Sequence, residues 1–195
     1  MAHAASWYNA VTMQLLGLGT GLVLTPNSFE DGLPIKVYLQ GGPLRTNPDF
    51  VPVPGGAADV VDSGGLERIT DAAIAAWVAS GVSPLEEARL RGVRFAIDDL
   101  PGSRLGFASG DLVVIDRDAC GFGWFIDPTP DDDGEFARAT DGILAAAEGT
   151  SADDRMDLLT AVMHELGHVL GLEDLEADHN ALMSATLAPG VRKVR

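Results

Sequence analysis

Cysteine and basic residues are scarce in this chain, and each scarcity excludes a class of protein. The single cysteine, Cys120, cannot form an internal disulfide, so the fold must rest on an apolar core or on a metal. Only 13 of the 195 residues are lysine or arginine, against 29 acidic residues, and the formal net charge is −16. Neutralising phosphates requires clustered basic side chains, so we expect no nucleic-acid partner.

Long uninterrupted hydrophobic runs are also missing. The apolar stretch from Ala10 to Leu24 is broken by glycine and threonine and is too short to span a membrane. It lacks the basic flank of a signal peptide, because the first lysine or arginine is Lys36. We expect no membrane insertion, and the signal of an exported form would lie outside these residues. With 46% hydrophobic residues, the chain can still build the core of a globular domain.

What the chain does contain is a metal-ligand pattern between His164 and Asp174. Positions four apart share one face of a helix, so His164 and His168 can bind one ion, with Glu165 beside it as a base for water. Gly171 then allows a sharp turn that would return Asp174 as a third ligand. Three protein ligands leave a fourth position for water or substrate, as catalytic zinc requires.

A histidine pair four residues apart is weak evidence alone, because many such pairs are merely exposed or half-buried. The agreement of two histidines, a glutamate, a glycine and a carboxylate makes the zinc interpretation far stronger. His179 is a second candidate for the third ligand, since histidine is the commoner zinc ligand. We favour Asp174 by its place in the motif and because aspartate also binds zinc.

The extended pattern resembles that of the metzincin zinc endopeptidases, H-E-x-x-H-x-x-G-x-x-H followed by a methionine-containing turn. Asp174 replaces the last histidine here, as in the similar snapalysin-like bacterial enzymes, and Met183 stands where the resemblance places the turn methionine. The resemblance implies an α+β fold: a twisted mixed sheet, a backing helix, a central active-site helix and a short C-terminal subdomain. It also extends to peptidase modules of large secreted bacterial proteins.

Periodicity and turn residues predict the elements from residue 61 onward, which we assign to the catalytic domain. The strand near Leu112 is the expected sheet edge for binding extended peptide. We predict helices over Leu66–Val78, from Ser83, and from Ser151–Asp154 through the motif, and strands over Val93–Ile97, Leu105–Ala108, Leu112–Ile115 and Gly123–Ile126.

Residues 1–60 carry weaker patterns and form a separate N-terminal segment in our interpretation. They are either a pro-segment that covers the cleft or additional strands, of which Ile35–Leu39 is the best candidate. The proline- and glycine-rich stretch 41–56 predicts a linker or a surface loop.

Two further features have a chemical and an ordinary interpretation. Asp127 to Glu135 contains five acidic residues, which are candidate calcium ligands, but their spacing matches no EF-hand, and a solvated loop is favoured. Cys120 invites the idea of a thiolate that blocks the metal, but it lies inside the catalytic region, and a small core or loop residue is favoured.

The motif predicts a zinc site with a general base, and the resemblance implies a secreted bacterial zinc endopeptidase that acts on protein or peptide. His164, His168 and Asp174 would hold one catalytic zinc ion, and Glu165 would be the general base for metal-activated water. The alternative is a noncatalytic or latent zinc-binding module of a larger secreted or surface protein. The oligomeric state is left open.

Overall fold

A computed structural model describes residues 42–52, 59–138, 143–175 and 180–193. Within these ranges the fold is a mixed α+β arrangement of three helices and several small sheets. The helices are α1 (Ser63–Ala79), α2 (Pro84–Arg91) and α3 (Leu158–Val169). The strands are β1 (Arg45–Thr46), β2 (Arg94–Asp98), β3 (Gly106–Ser109), β4 (Leu112–Asp116), β5 (Trp124–Phe125), β6 (Phe136–Arg138), β7 (Ile143–Ala146), β8 (Met156–Asp157), β9 (Thr186–Leu187) and β10 (Val191–Lys193).

The sheet nearest the predicted site has the order β2-β4-β3, with β4 parallel to β2 and antiparallel to β3. The predicted hairpin is confirmed as β3 and β4, joined through Gly110 at φ +64°. The predicted edge is wrong, because β4 is the central strand and β3 is an edge. Strand β4 contains four consecutive apolar residues, a pattern typical of strands that are buried on both faces, and this fits its central position.

Both predicted helices before the sheet are present. Helix α1 turns its apolar face onto α3, and the Trp77 indole N–H donates to the Met163 carbonyl at 3.1 Å. Helix α2 begins with the predicted Ser83 cap, and Glu86 completes a capping box. Both helices could be predicted because their apolar periodicity and capping residues lie close together in the sequence.

Helix α3 begins at Leu158, later than predicted. Residues Met156–Asp157 pair with β5 as a short parallel strand, so the chain is still extended there. The Asp157 side chain caps the helix by accepting from the Thr160 N–H at 3.0 Å. Every residue of α3 is buried, which makes it the central helix of the fold.

Within the predicted linker or surface loop 41–56, the described residues 42–46 are part of the packed fold. Leu44 is fully buried, and β1 pairs in parallel with β9. The described residues after Met183 include two strands, β9 and β10, and β10 pairs antiparallel with β7. The predictions for Ala10–Leu24, Ile35–Leu39 and His179 lie outside the described residues. No helix in the described part of the chain has the length and apolarity needed to cross a membrane.

Candidate metal centre

The candidate site lies at the C-terminal half of α3, where His164, Glu165 and His168 occupy successive turns in the core. The helix ends at Val169 with Leu170 as its C-cap, and Gly171 adopts φ +92°, a left-handed conformation that glycine reaches without strain. The Leu172 N–H donates back to the Gly167 carbonyl at 3.0 Å and closes the turn. The chain therefore reverses as the motif predicts.

This reversal brings three ligand atoms together. The Nε2 atoms of His164 and His168 lie 2.9 Å apart, and Asp174 Oδ1 lies 3.3 Å and 3.2 Å from them. A tetrahedral ion with bonds of about 2.0–2.1 Å has neighbouring ligands separated by about 3.3 Å. The three atoms thus have nearly the spacing of one face of a zinc tetrahedron. Among the described residues, they are the group that could hold a metal ion.

Each imidazole is oriented by a backbone carbonyl on its other nitrogen. His164 Nδ1 lies 3.0 Å from the Leu182 carbonyl, and His168 Nδ1 lies 2.8 Å from the Leu172 carbonyl. A carbonyl oxygen only accepts, so both Nδ1 atoms carry a proton, and in the neutral imidazoles both Nε2 atoms then present lone pairs. In this tautomer the two rings are oriented so that their Nε2 atoms could bind a metal ion.

The hydrogen bonding of the three candidate ligand atoms also favours a bound cation. Asp174 Oδ1 is buried and has no hydrogen-bond partner, because both nitrogens facing it are acceptors in this tautomer. Three converging acceptors with no proton among them are unfavourable without a cation. A divalent ion would satisfy all three at once, so these residues fit a zinc ion.

The charges of the site favour a cation as well. Burial lowers the pKa of His168, but Asp174 and Glu165 outweigh this, and its net pKa is raised. Partial burial raises the pKa of Asp174, but the two imidazoles that face it outweigh this and hold the pKa well below its ordinary value. The carboxylate stays ionised, and a metal ion would compete with a proton for the same place.

Glu165 lies on the same helix with its side chain fully buried. Its Oε1 accepts from the Leu44 N–H at 3.2 Å, whereas Oε2 has no partner. Burial raises the pKa of Glu165, with the histidines opposing that rise. A carboxylate with a raised pKa and a free oxygen beside a metal site is suited to taking and returning a proton.

Met183 lies directly beneath the helix. A side chain at Gly167 would overlap the Met183 Sδ, so the glycine permits close packing of the turn on α3. The neighbouring Leu182 carbonyl is the acceptor for His164, and the Met183 carbonyl accepts from the Leu175 N–H at 2.8 Å. The turn around Met183 thus packs against α3 and helps to orient the candidate ligand His164.

The acidic stretch from Asp127 to Glu135 was predicted to be a solvated loop, and it differs from that prediction at its first residue. Asp127 is fully buried and binds Arg192 Nη2 at 2.6 Å, whereas Asp131 and Asp132 are exposed. Arg192 also contacts Asp157 at 2.9 Å and Asp133 at 3.0 Å. The buried Asp127 is therefore neutralised by an arginine, whereas Glu135 Oε2 is buried without a hydrogen-bond partner, and the calcium prediction gains no support from the arginine-bound carboxylates.

Cys120 is half-buried, and its thiol donates to the Arg104 carbonyl at 3.2 Å. Burial raises the pKa of Cys120 to about 12, with Asp116 and Asp118 adding to the rise. A thiol that stays protonated is a poor metal ligand or nucleophile.

Sequence reasoning placed the three candidate ligands and Glu165 but missed residues that contact them from far away in the chain. The Gly42 N–H donates to Asp174 Oδ2 at 2.7 Å, and Leu44 contacts Glu165. The proline- and glycine-rich composition around Leu44 gave no signal of burial. Comparison of the chain with family models, curated proteins and solved structures finds no match.

Proposed function

We propose that this chain is a zinc-dependent endopeptidase in which His164, His168 and Asp174 hold the ion and Glu165 is the general base. The observation that carries the proposal is the convergence of two Nε2 lone pairs and an unpartnered carboxylate oxygen, with a buried carboxylate on the same helix. A purely structural zinc site has four protein ligands, and only three converge among the described residues.

The family that fits this arrangement is the metzincins, by the sequence motif, the turn at Gly171 and the methionine turn under the helix. The departure is Asp174 in place of a third histidine. An anionic ligand reduces the net charge of the bound ion and therefore its strength as a Lewis acid. We propose a secreted bacterial enzyme whose substrate is an extended protein or peptide segment.

The residues have separate roles in hydrolysis. The chemistry that zinc supplies in such a site is Lewis-acid polarisation of the carbonyl and a lowered pKa of water. Glu165 accepts a proton from the attacking water and then delivers it to the leaving amine. The backbone carbonyls of Leu182 and Leu172 hold the two imidazoles in the required tautomer throughout.

The first prediction tests the general base with Glu165→Gln. The amide keeps the shape of the side chain but cannot take a proton, so casein hydrolysis should fall roughly 10²-fold to 10⁴-fold while the zinc content stays the same. Glu173→Gln is the matched control, because Glu173 is an exposed carboxylate next to a candidate ligand, and it should retain full activity.

Two outcomes would contradict the proposal. Full activity of Glu165→Gln with zinc bound would exclude Glu165 as the general base. Zinc bound by the unmodified chain, with no chelator-sensitive hydrolysis of casein, would instead support the noncatalytic module.

A further inference from the structure

Residues 42–47 lie across the candidate metal centre as an extended peptide. On one side they run antiparallel to the residues that precede β3, with Arg45 opposite Arg104. The Leu44 carbonyl accepts from the Leu105 N–H at 2.8 Å, and the Thr46 N–H donates to the Ser103 carbonyl at 2.9 Å. This side of the segment is therefore held as an added strand.

The other side of the segment runs parallel to β9, which follows the methionine turn. The Arg45 N–H donates to the Ala185 carbonyl at 3.0 Å, and the Asn47 N–H donates to the Leu187 carbonyl at 2.8 Å. The segment thus lies between the sheet edge and the turn that supports the site. An extended peptide substrate would use this same place, because both flanks offer backbone groups at strand spacing.

The register of the segment is set by its contacts with the site. The Leu44 side chain is fully buried, and its N–H points at Glu165 Oε1 at 3.2 Å. Two residues earlier, the Gly42 N–H donates to Asp174 Oδ2 at 2.7 Å. A Cβ on Gly42 would lie 2.9 Å from that oxygen, so a larger residue here would displace the Asp174 carboxylate.

The nitrogen that faces the general base occupies the place of the leaving amine. In peptide hydrolysis the base returns its proton to the nitrogen of the broken bond, so that nitrogen must lie within hydrogen-bond reach of it. Leu44 N meets this condition. The bond that contains this nitrogen joins Pro43 to Leu44.

We infer that the Pro43–Leu44 bond is a self-cleavage site of this chain, with residues 44–47 bound as the leaving half of a peptide. The inference rests on the proposed function. Water adds its oxygen to the Pro43 carbonyl carbon, and the bond from that carbon to Leu44 N breaks. Both water protons end on Leu44 N, one of them through Glu165, which leaves a Pro43 carboxylate and a Leu44 ammonium group.

The competing interpretation is a permanent structural strand that is never cut. Leu44 belongs to the apolar core cluster, and both flanks are hydrogen-bonded, as in an ordinary sheet. A structural strand explains the flanks. It gives no reason for backbone N–H groups of this segment to contact both the general base and a candidate ligand.

The experiment follows the N-terminus of the full chain purified with zinc. Intact mass and N-terminal sequencing should show a fragment that begins at Leu44, and the rate of its formation should not change on dilution because the cut is intramolecular. Glu165→Gln should slow its formation roughly 10²-fold to 10⁴-fold. Hydrolysis of casein by the same preparation is measured in parallel.

A second measurement does not depend on activity. In chelator-treated full chain, the amides of Leu44, Arg45, Thr46 and Asn47 should exchange hydrogen much more slowly than unstructured peptide, since all four donate in the docked strand. Exchange at the unstructured rate would overturn the inference.

A pair of variants tests the register. Leu44→Asp places a charge in the core position and should reduce cleavage before residue 44 at least tenfold. Val51→Asp, at a position that is 82% exposed, should leave the cleavage unchanged. If Leu44→Asp does not fold, the mass and exchange measurements on the unmodified chain still decide.

The outcomes separate this inference from the proposed function. Chelator-sensitive casein hydrolysis with an intact Pro43–Leu44 bond would overturn self-cleavage and leave the peptidase proposal standing. A cut at another bond would overturn the register. Failure of both reactions would overturn both proposals.

Discussion

Two buried polar clusters lie toward opposite ends of helix α3, and they differ in whether the protein satisfies its own polar groups. At the N-terminal end, Arg192 donates to Asp127, Asp133 and Asp157 and lies over the Phe136 ring. At the C-terminal end, three acceptors converge with no donor among them.

The difference distinguishes a structural cluster from a candidate ligand site. A buried charge is tolerated when partners are built in, as they are around Arg192. Atoms left without partners cost free energy, and a bound ion or a catalytic role is one explanation for keeping a group of them together. The two clusters share the same helix and comparable burial, so burial alone does not identify the site. The balance of donors and acceptors does.

The largest expected effect on stability comes from Arg192→Met. It would leave buried Asp127 and Asp157 without their cation, which should cost about 3–5 kcal/mol of unfolding free energy. Urea unfolding followed by the fluorescence of the buried tryptophans Trp77 and Trp124 measures it. Arg91→Met is the control, because its exposed pair with Glu87 should contribute only about 0.3–0.5 kcal/mol. Equal losses in the two variants would contradict the structural role of the Arg192 cluster.

The second effect concerns Asp174→Asn, whose change in stability relative to the unmodified chain should reverse sign when zinc is added. At about pH 8, with chelator, the amide N–H can donate to the imidazole lone pairs, so the variant should be about 1 kcal/mol more stable than the unmodified chain. With zinc at about 1,000 times the dissociation constant, the unmodified chain should gain about 4 kcal/mol that the variant largely loses. Thermal unfolding under both conditions measures the crossover.

The control for this test is Glu173→Gln, which changes an exposed carboxylate beside the site and should respond to zinc as the unmodified chain does. A stabilisation of Asp174→Asn by zinc equal to that of the unmodified chain would exclude Asp174 as a ligand. His179 would then be the next residue to test.

The two clusters also differ in how far the sequence could predict them. His164, His168 and Asp174 lie within eleven residues, so helix periodicity and one glycine turn were enough to bring them together. Arg192 reaches Asp127 across 65 positions, and no local pattern encodes that pairing. The same holds for Leu44, whose contact with Glu165 spans 121 positions.

The fold shows the same division. The helices and the β3–β4 hairpin were predictable because caps, periodicity and a glycine turn act locally. The place of β4 at the centre of its sheet, and the pairing of β1 with β9, depend on partners distant in sequence. The late start of α3 follows from the pairing of β8 with β5, which is also long-range.

A smaller effect is expected from Gly167→Ala. The new Cβ would overlap Met183 Sδ and lie 3.0 Å from its Cε, and the turn cannot withdraw freely because the Leu182 carbonyl holds His164. The cost should be about 1–3 kcal/mol, with weaker zinc binding as the carbonyl shifts. Gly64→Ala in α1 is the control, since its nearest atom would be 3.8 Å away, and it should stabilise by about 0.5–1 kcal/mol. Urea unfolding and zinc titration measure both variants, and unchanged zinc affinity in Gly167→Ala would separate the turn from the site.

The smallest effect concerns Cys120. Its thiol has a hydrogen-bond partner within the protein, as the groups around Arg192 do. Its thiol donates to the Arg104 carbonyl, and burial raises the pKa of Cys120 to about 12. At about pH 8, the native thiol should therefore react with iodoacetamide roughly 10³-fold more slowly than the same thiol in denaturant, where its pKa is about 8.5. The unfolded chain ionises first as pH rises, so this group stabilises the fold below about pH 8.5 and its contribution decreases above that pH. Mass spectrometry of the alkylated fraction over time measures the ratio. Fast reaction of the native protein would contradict a buried, hydrogen-bonded thiol at Cys120.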